Sequence, residues 1–169
     1  MVCLAKAVAG GYPSGAVGMT ETLADLITTG RVRQVGTFNG NPLSMAAAHA
    51  ALTEVLTDDA YARIEAMDAR LRAGLDDVIA RYGLPCHTVG LGAKGCVVFA
   101  SEPLYEYRDY ATKVDEDLST LSWLYHMNHG IFMTPGVDEQ WTLSVAHRDE
   151  DLQLYVDAFE AFARDATSA

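Results

Sequence analysis

What this sequence lacks narrows its role before any motif is considered. Its three cysteines, Cys3, Cys86 and Cys96, form an odd set with no CxxC pair, which argues against both a disulfide framework and a cysteine zinc site. They read as small buried hydrophobes. Basic residues are scarce, since 12 Lys and Arg face 23 Asp and Glu and leave a formal net charge of −11. The acid is spread along the chain rather than gathered in a tail, so binding to nucleic acid through bulk electrostatics is excluded. No apolar run reaches the ~18 residues a bilayer span needs. The opening MVCLAKAVAGG also has neither the basic lead-in nor the length of a secretory signal. The expectation is a cytoplasmic chain without membrane contact.

What is present is an ordinary globular composition of 169 residues, 50% hydrophobic and 21% charged. That suffices for a domain with a real core, in which about two-thirds of the unfolded surface is buried. Val2 to Ala5 and Ala16 to Met19 are short apolar runs between glycines and predict brief buried strands of an α/β sheet. Thr20 is placed to cap a short helix that stops before Gly30. Asn41 and Pro42 supply an N-cap and a first-turn proline for an alanine-rich helix to about Leu56.

From Asp58 or Asp59, apolar residues at spacings of three and four (Ile64, Met67, Leu71, Leu75, Val78, Tyr82) predict a long amphipathic helix, ended by Gly83 and Pro85. Residues 87–101 read as two strands joined through glycines, followed by a polar, tyrosine-rich loop. Leu118, Leu121, Leu124, Tyr125 and Met127 predict a further helix up to Gly130, then strands over 131–133 and 141–146. The acidic Asp149-Glu150-Asp151 opens a last helix whose buried face is Leu152, Tyr155, Val156, Phe159 and Phe162. Residues 58–169 thus form a compact α+β unit. Residues 1–57 hold strands without the neighbours a sheet requires, and the chain reads as a fragment of something longer.

Several constellations carry candidate chemistry. Lys6 ends an apolar run just before Gly10-Gly11, a setting that can desolvate an ammonium and lower its pKa, as a covalently acting lysine needs. Taken alone, a solvated lysine is the commoner reading. Thr37, after Gly36, is either a donor to an anion or a turn hydroxyl bonded to its own backbone. Gly90-x-Gly92-x-x-Gly95 has the letters of a dinucleotide fingerprint, but an apolar strand pattern follows where a helix is required. His126 and His129 lack Glu or Cys partners at ligand spacing and finish a helix rather than bind a metal. Arg108-Asp109 suits a surface ion pair better than a substrate carboxylate, and Glu139 beside Trp141 is either an exposed turn acid or a group that reaches a site.

The segment Leu4-Ala5-Lys6-Ala7-Val8-Ala9-Gly10-Gly11-Tyr12-Pro13-Ser14-Gly15-Ala16-Val17-Gly18 resembles the lysine segment of class III pyridoxal-phosphate aminotransferases. About thirty residues on, Gly36-Thr37-Phe38-Asn39-Gly40-Asn41-Pro42-Leu43 resembles the loop that precedes that family's alanine-rich helix. Asn128-His129-Gly130-Ile131-Phe132 and Leu143-Ser144-Val145-Ala146-His147-Arg148-Asp149-Glu150-Asp151 are similar to the closing strands and last helix of its glutamate-1-semialdehyde 2,1-aminomutase branch. Arg148 departs from that branch's threonine, and Pro135-Gly136-Val137-Asp138-Glu139 matches it only in part.

The resemblance implies the C-terminal part of a fold type I transferase, with 1–57 the tail of the large α/β domain and 58–169 the small α+β domain. It implies pyridoxal 5'-phosphate held covalently by Lys6, with Thr37 and Gly36 at the cofactor phosphate of a neighbouring subunit, and a homodimeric parent acting on a small amino substrate. The implied reaction is amino-group transfer, as an intramolecular shift or as ordinary transamination, with the fragment nearly inert alone. A remnant that only folds or binds a partner is the alternative.

Overall fold

The computed structural model describes residues 1–134 and 140–168. The chain divides into two compact units, Met1–Ala60 and Tyr61–Ala169. Among the described residues no helix is long and apolar enough to cross a membrane.

In the first unit, β1 (Val2–Leu4) and β2 (Ala16–Gly18) pair antiparallel, with Leu4 opposite Ala16. The sequence predicts buried strands here. Both are instead exposed along their length, because each pairs only with the other and neither face of this ribbon is covered. Cys3 is exposed for the same reason, a correction to the expectation for that residue. Between the strands lies a 3-10 turn, Lys6–Ala9, closed by Gly10 in the left-handed region.

Helix α1 (Glu21–Thr28) follows Thr20, whose side chain makes no capping bond. Helix α2 (Pro42–Ala50) is capped as its sequence predicts, with Asn41 Oδ1 accepting from Leu43 N at 3.0 Å and Ser44 N at 3.2 Å. It does not stay α-helical to Leu56. Ala51–Val55 widens into a π turn, an irregularity that favours functional neighbourhoods.

The second unit is built on α3 (Asp58–Tyr82), whose first residues precede the dividing point. Its inward stripe Ile64, Met67, Leu71, Leu75 and Val78 is the predicted one. Strands β3 (His87–Leu91) and β4 (Lys94–Val98) form a hairpin, and the two-residue β5 (Trp141–Thr142) pairs with the start of β4. The glycine fingerprint therefore lies on a hairpin. Gly95 lies flat against the Trp141 ring, so a Cβ there would overlap it.

The tyrosine-rich stretch holds a short helix, α4 (Tyr107–Lys113), where a loop is predicted, because Asp109 and Lys113 pair across one turn at 2.9 Å. Helix α5 (Glu116–Asn128) is where expected but turned differently. Ser119, Ser122 and His126 are buried, whereas Leu121 and Leu124 are exposed. Residues 131–133 form no strand; Met133 packs into the core and its carbonyl accepts from Trp123 Nε1 at 3.2 Å. The strand predicted over 141–146 stops at Thr142, since Ser144 and His147 close a turn.

Helix α6 (Asp149–Thr167) presents Leu152, Tyr155, Phe159 and Phe162 to the core, where Phe99 meets Phe162 edge to face. Two buried polar side chains knit this core. Asp68 accepts from Arg72 Nε at 2.8 Å and Trp141 Nε1 at 3.1 Å. The Gln140 amide bonds both the N–H and the C=O of Val97, at 3.0 and 3.1 Å. These bonds remove the cost of burying polar groups.

Candidate active site

Lys6 stands where β1 gives way to the 3-10 turn, with φ of 56°, and no other described non-glycine residue has a positive φ. A β-carbon makes this region costly, so a lysine there is a site to examine rather than a default turn. Ala9, at the other end of the same turn, is 1% exposed, and the turn packs against α2 and the π segment. The Lys6 side chain is exposed. The desolvation expected from its apolar run is absent in this chain, because the β1–β2 ribbon above it is uncovered. Its amine makes no hydrogen bond or ion pair among the described residues, which leaves it free to meet an aldehyde.

Gly36 and Thr37 sit on a doubly turned loop that delivers the chain to α2. Asn39 N donates to Gly36 O and Asn41 N to Phe38 O, each at 3.1 Å, and Gly40 is left-handed. The Asn39 side chain folds over Gly36, where a Cβ would stand 2.6 Å from Asn39 Oδ1. Thr37 is exposed and its hydroxyl is unbonded among the described residues, so it is available to an incoming acceptor. No hydrogen bond joins Thr37 or Gly36 to Lys6. Sequence reasoning missed Asn39 and Ala9; the small residue set against Gly10-Gly11 was the only signal for the latter.

The remaining candidates resolve into structure. Arg108 is exposed beside Glu106, and Asp109 pairs with Lys113 while accepting from Tyr105 N at 3.0 Å, which holds its carboxyl below the usual range. His126 is fully buried, with Nδ1 donating to Ser122 O at 2.6 Å, and burial lowers its pKa. His129 is exposed and stacks on Tyr125 at 4.1 Å. Among the described residues, no three His, Cys, Asp or Glu side chains are grouped to hold a metal ion. Glu139 and the 135–139 departure lie outside the described residues.

The family model for aminotransferase class-III matches residues 1–116. The chain belongs to the class III aminotransferase family. It is 32% identical over 166 residues to the glutamate-1-semialdehyde 2,1-aminomutase of Syntrophobacter fumaroxidans, covering 97% of this chain but 38% of that protein. Among solved structures, it matches a β-phenylalanine aminotransferase from Variovorax paradoxus with a TM-score of 0.89 and 29% identity, over 98% of this chain and 38% of that one. A glutamate-1-semialdehyde aminomutase from Pseudomonas aeruginosa, solved with PMP, matches with a TM-score of 0.80 and 26% identity, over 94% and 37%. The chain thus spans well under half the length of these class III relatives, and its fold is that of the C-terminal part of such an enzyme. Pyridoxal phosphate is the cofactor of this family.

Proposed function

We propose that this chain contributes the lysine-bearing segment and the C-terminal domain of a cytoplasmic pyridoxal-phosphate enzyme. That enzyme moves an amino group on a small amino acid or amino aldehyde, with chemistry like that of glutamate-1-semialdehyde 2,1-aminomutase. The observation that carries this is Lys6, an unpartnered amine on a left-handed backbone at the end of β1, inside the segment the family model matches. Residues 1–57 are assigned to the tail of the large domain and 58–169 to the small one.

The residues present suit the cofactor: a free amine for its aldehyde, and an unbonded hydroxyl with glycine-flanked amides for its phosphate. When bound, pyridoxal phosphate supplies an electrophilic aldehyde and an electron-withdrawing ring. Lys6 Nζ would hold the aldehyde covalently and, once a substrate amine displaces it, would take and return the proton at the substrate carbon. Thr37 Oγ1 would donate to a phosphate oxygen, while Gly36 lets the backbone approach. A homodimeric parent in which Thr37 serves the neighbouring subunit's site is part of the same proposal, on the family resemblance of the Gly36–Leu43 loop. By itself the chain is proposed to be nearly inert.

Ordinary transamination is the second reading. The match to a β-phenylalanine aminotransferase at 29% identity is the observation behind it. The test of the shared part is to add pyridoxal phosphate, reduce with borohydride and map the label by peptide mass spectrometry. Label concentrated on Lys6 and lost in Lys6→Ala is the expected result. Label spread evenly over Lys6, Lys94 and Lys113 would leave a folded, non-catalytic remnant as the better description.

A further inference from the structure

Lys6 joins two elements and is itself spanned by one weak turn bond, Val8 N donating to Ala5 O at 3.4 Å. On one side, β1 is held by its pairing with β2 up to Leu4 opposite Ala16. On the other, the 3-10 turn is closed by Gly10 N donating to Ala7 O at 3.0 Å and Tyr12 N donating to Ala9 O at 3.1 Å. The direction of the chain must change between these elements. Ala5 stays extended, with φ of −155°, so the change falls on Lys6.

A backbone that a β-carbon disfavours persists only where its surroundings over-determine it. The surroundings here are few and small. Ala9, Ala48 and Ala51, with Ser44, are the buried residues of the first unit. They gather where the 3-10 turn meets α2 and its π continuation, and the space beside Gly10 ends on the Ala51 side chain, 3.9 Å from where a Cβ would be. The helix widens into its π form at Ala51, the residue that receives it.

We propose that Ala9 is a positioning residue: seated at the junction of α2 and the π turn, it clamps the 3-10 turn and thereby imposes the left-handed backbone that sets the exit direction of the Lys6 side chain. The chemical consequence rests on the function proposed above; the conformational one does not. A larger residue at position 9 lifts the turn off α2 and lets Lys6 relax to an ordinary backbone. The amine then loses the selective approach that distinguishes it from other exposed lysines.

The experiment pairs Ala9→Leu with the conservative Ala9→Ser and reads two quantities in the full chain. The first, without cofactor, is the intraresidue amide-to-α-proton NOE of Lys6, which is strong only when φ is positive. It is expected to be strong in the wild type and in Ala9→Ser and weak in Ala9→Leu. The second is the share of borohydride-trapped pyridoxal phosphate on Lys6 relative to Lys94 and Lys113, expected to fall roughly tenfold in Ala9→Leu, since small misplacements of a reacting group cost one to two orders of magnitude. Lys6→Gly guards against a variant that merely fails to fold: glycine accepts the left-handed backbone freely, so amide protection across 7–10 should equal or exceed the wild type, whereas Lys6→Ala should not raise it. A weak NOE in the wild type, or one unchanged in Ala9→Leu, overturns the proposal. A strong, Ala9-dependent NOE with no selective label on Lys6 upholds the clamp and sinks the cofactor reading instead.

Discussion

The two units of this chain use opposite means to hold their backbone. The second encloses aromatic and aliphatic side chains from α3, α5, α6 and the β3–β4 hairpin, with Leu75, Val78 and Phe159 fully out of water. The first encloses three alanines and a serine, while Val2, Leu4, Val17, Phe38 and Leu43 face outward. At ~25 cal/mol per Å² of apolar surface removed from water, stabilisation on this chain's own account is concentrated in the second unit. The first is shaped mainly by hydrogen-bonded turns and left-handed glycines. The lysine proposed to hold the cofactor thus sits on the unit with few buried side chains, where the proposed clamp at Ala9 would carry most consequence.

The contrast breaks if truncation is felt alike in both units. Phe159→Ala is expected to cost about 3–5 kcal/mol, read as the urea midpoint of Trp123 and Trp141 fluorescence in the second unit, and Val17→Ala no more than about 0.5 kcal/mol, read as the urea dependence of amide exchange in residues 2–50. Comparable losses would show that the first unit has a core of its own.

A pH series sharpens the contrast from the other side. The neutral His126 ring is accommodated with its Nε2 buried and without a hydrogen-bond partner among the described residues, and burial holds its pKa below the ordinary 6.5. The unfolded chain therefore binds the proton first, and folding stability is lost as pH falls below about 6.5. His126→Leu should flatten that part of the unfolding profile, a smaller effect than the loss of Phe159. Against the ring stand Tyr155, Phe159 and Phe162 of α6 and Tyr125 of its own helix, with the exposed His129 just past that helix's end. No carboxylate among these compensates a buried imidazolium. A profile identical in the two proteins would show that His126 opens to water before it titrates.

The mildest test uses thiols. Burial pushes Cys86 up to about 12, whereas Cys3 is exposed on β1. Under native conditions maleimide should label Cys3 at least about tenfold faster than Cys86. Equal rates would mean that the second unit opens as readily as the first.

Periodicity made much of the second unit legible. The stripes of α3 and α6 rest on aliphatic and aromatic residues at helical spacing, and the structure buries those residues. Helix α5 was legible as a helix but not in its orientation. Its leucines promised one face, yet Ser119, Ser122 and His126 turn inward, their polarity met within the helix as Ser119 Oγ donates to Asp115 O and His126 Nδ1 to Ser122 O. The strand expected over 131–133 did not form, and the one expected over 141–146 stopped at Thr142, where turn bonds around Ser144 and His147 prevailed. In the candidate site, Lys6, Gly36 and Thr37 could be named from motifs. The backbone of Lys6 and the role of Ala9 could not, since neither a torsion angle nor the contact of a single methyl group leaves a pattern in sequence.

The Gln140 amide has a consequence for the sheet as a whole. Beside β4, pairing with β5 reaches only Lys94 and Gly95, and the backbone groups of buried Val97 would otherwise be left without a partner on that side. One carboxamide meets both, donating to the carbonyl and accepting from the amide. On this side of β4 the ladder is therefore ended by a side chain, and the backbone groups of Val97 are satisfied inside the core without a further strand.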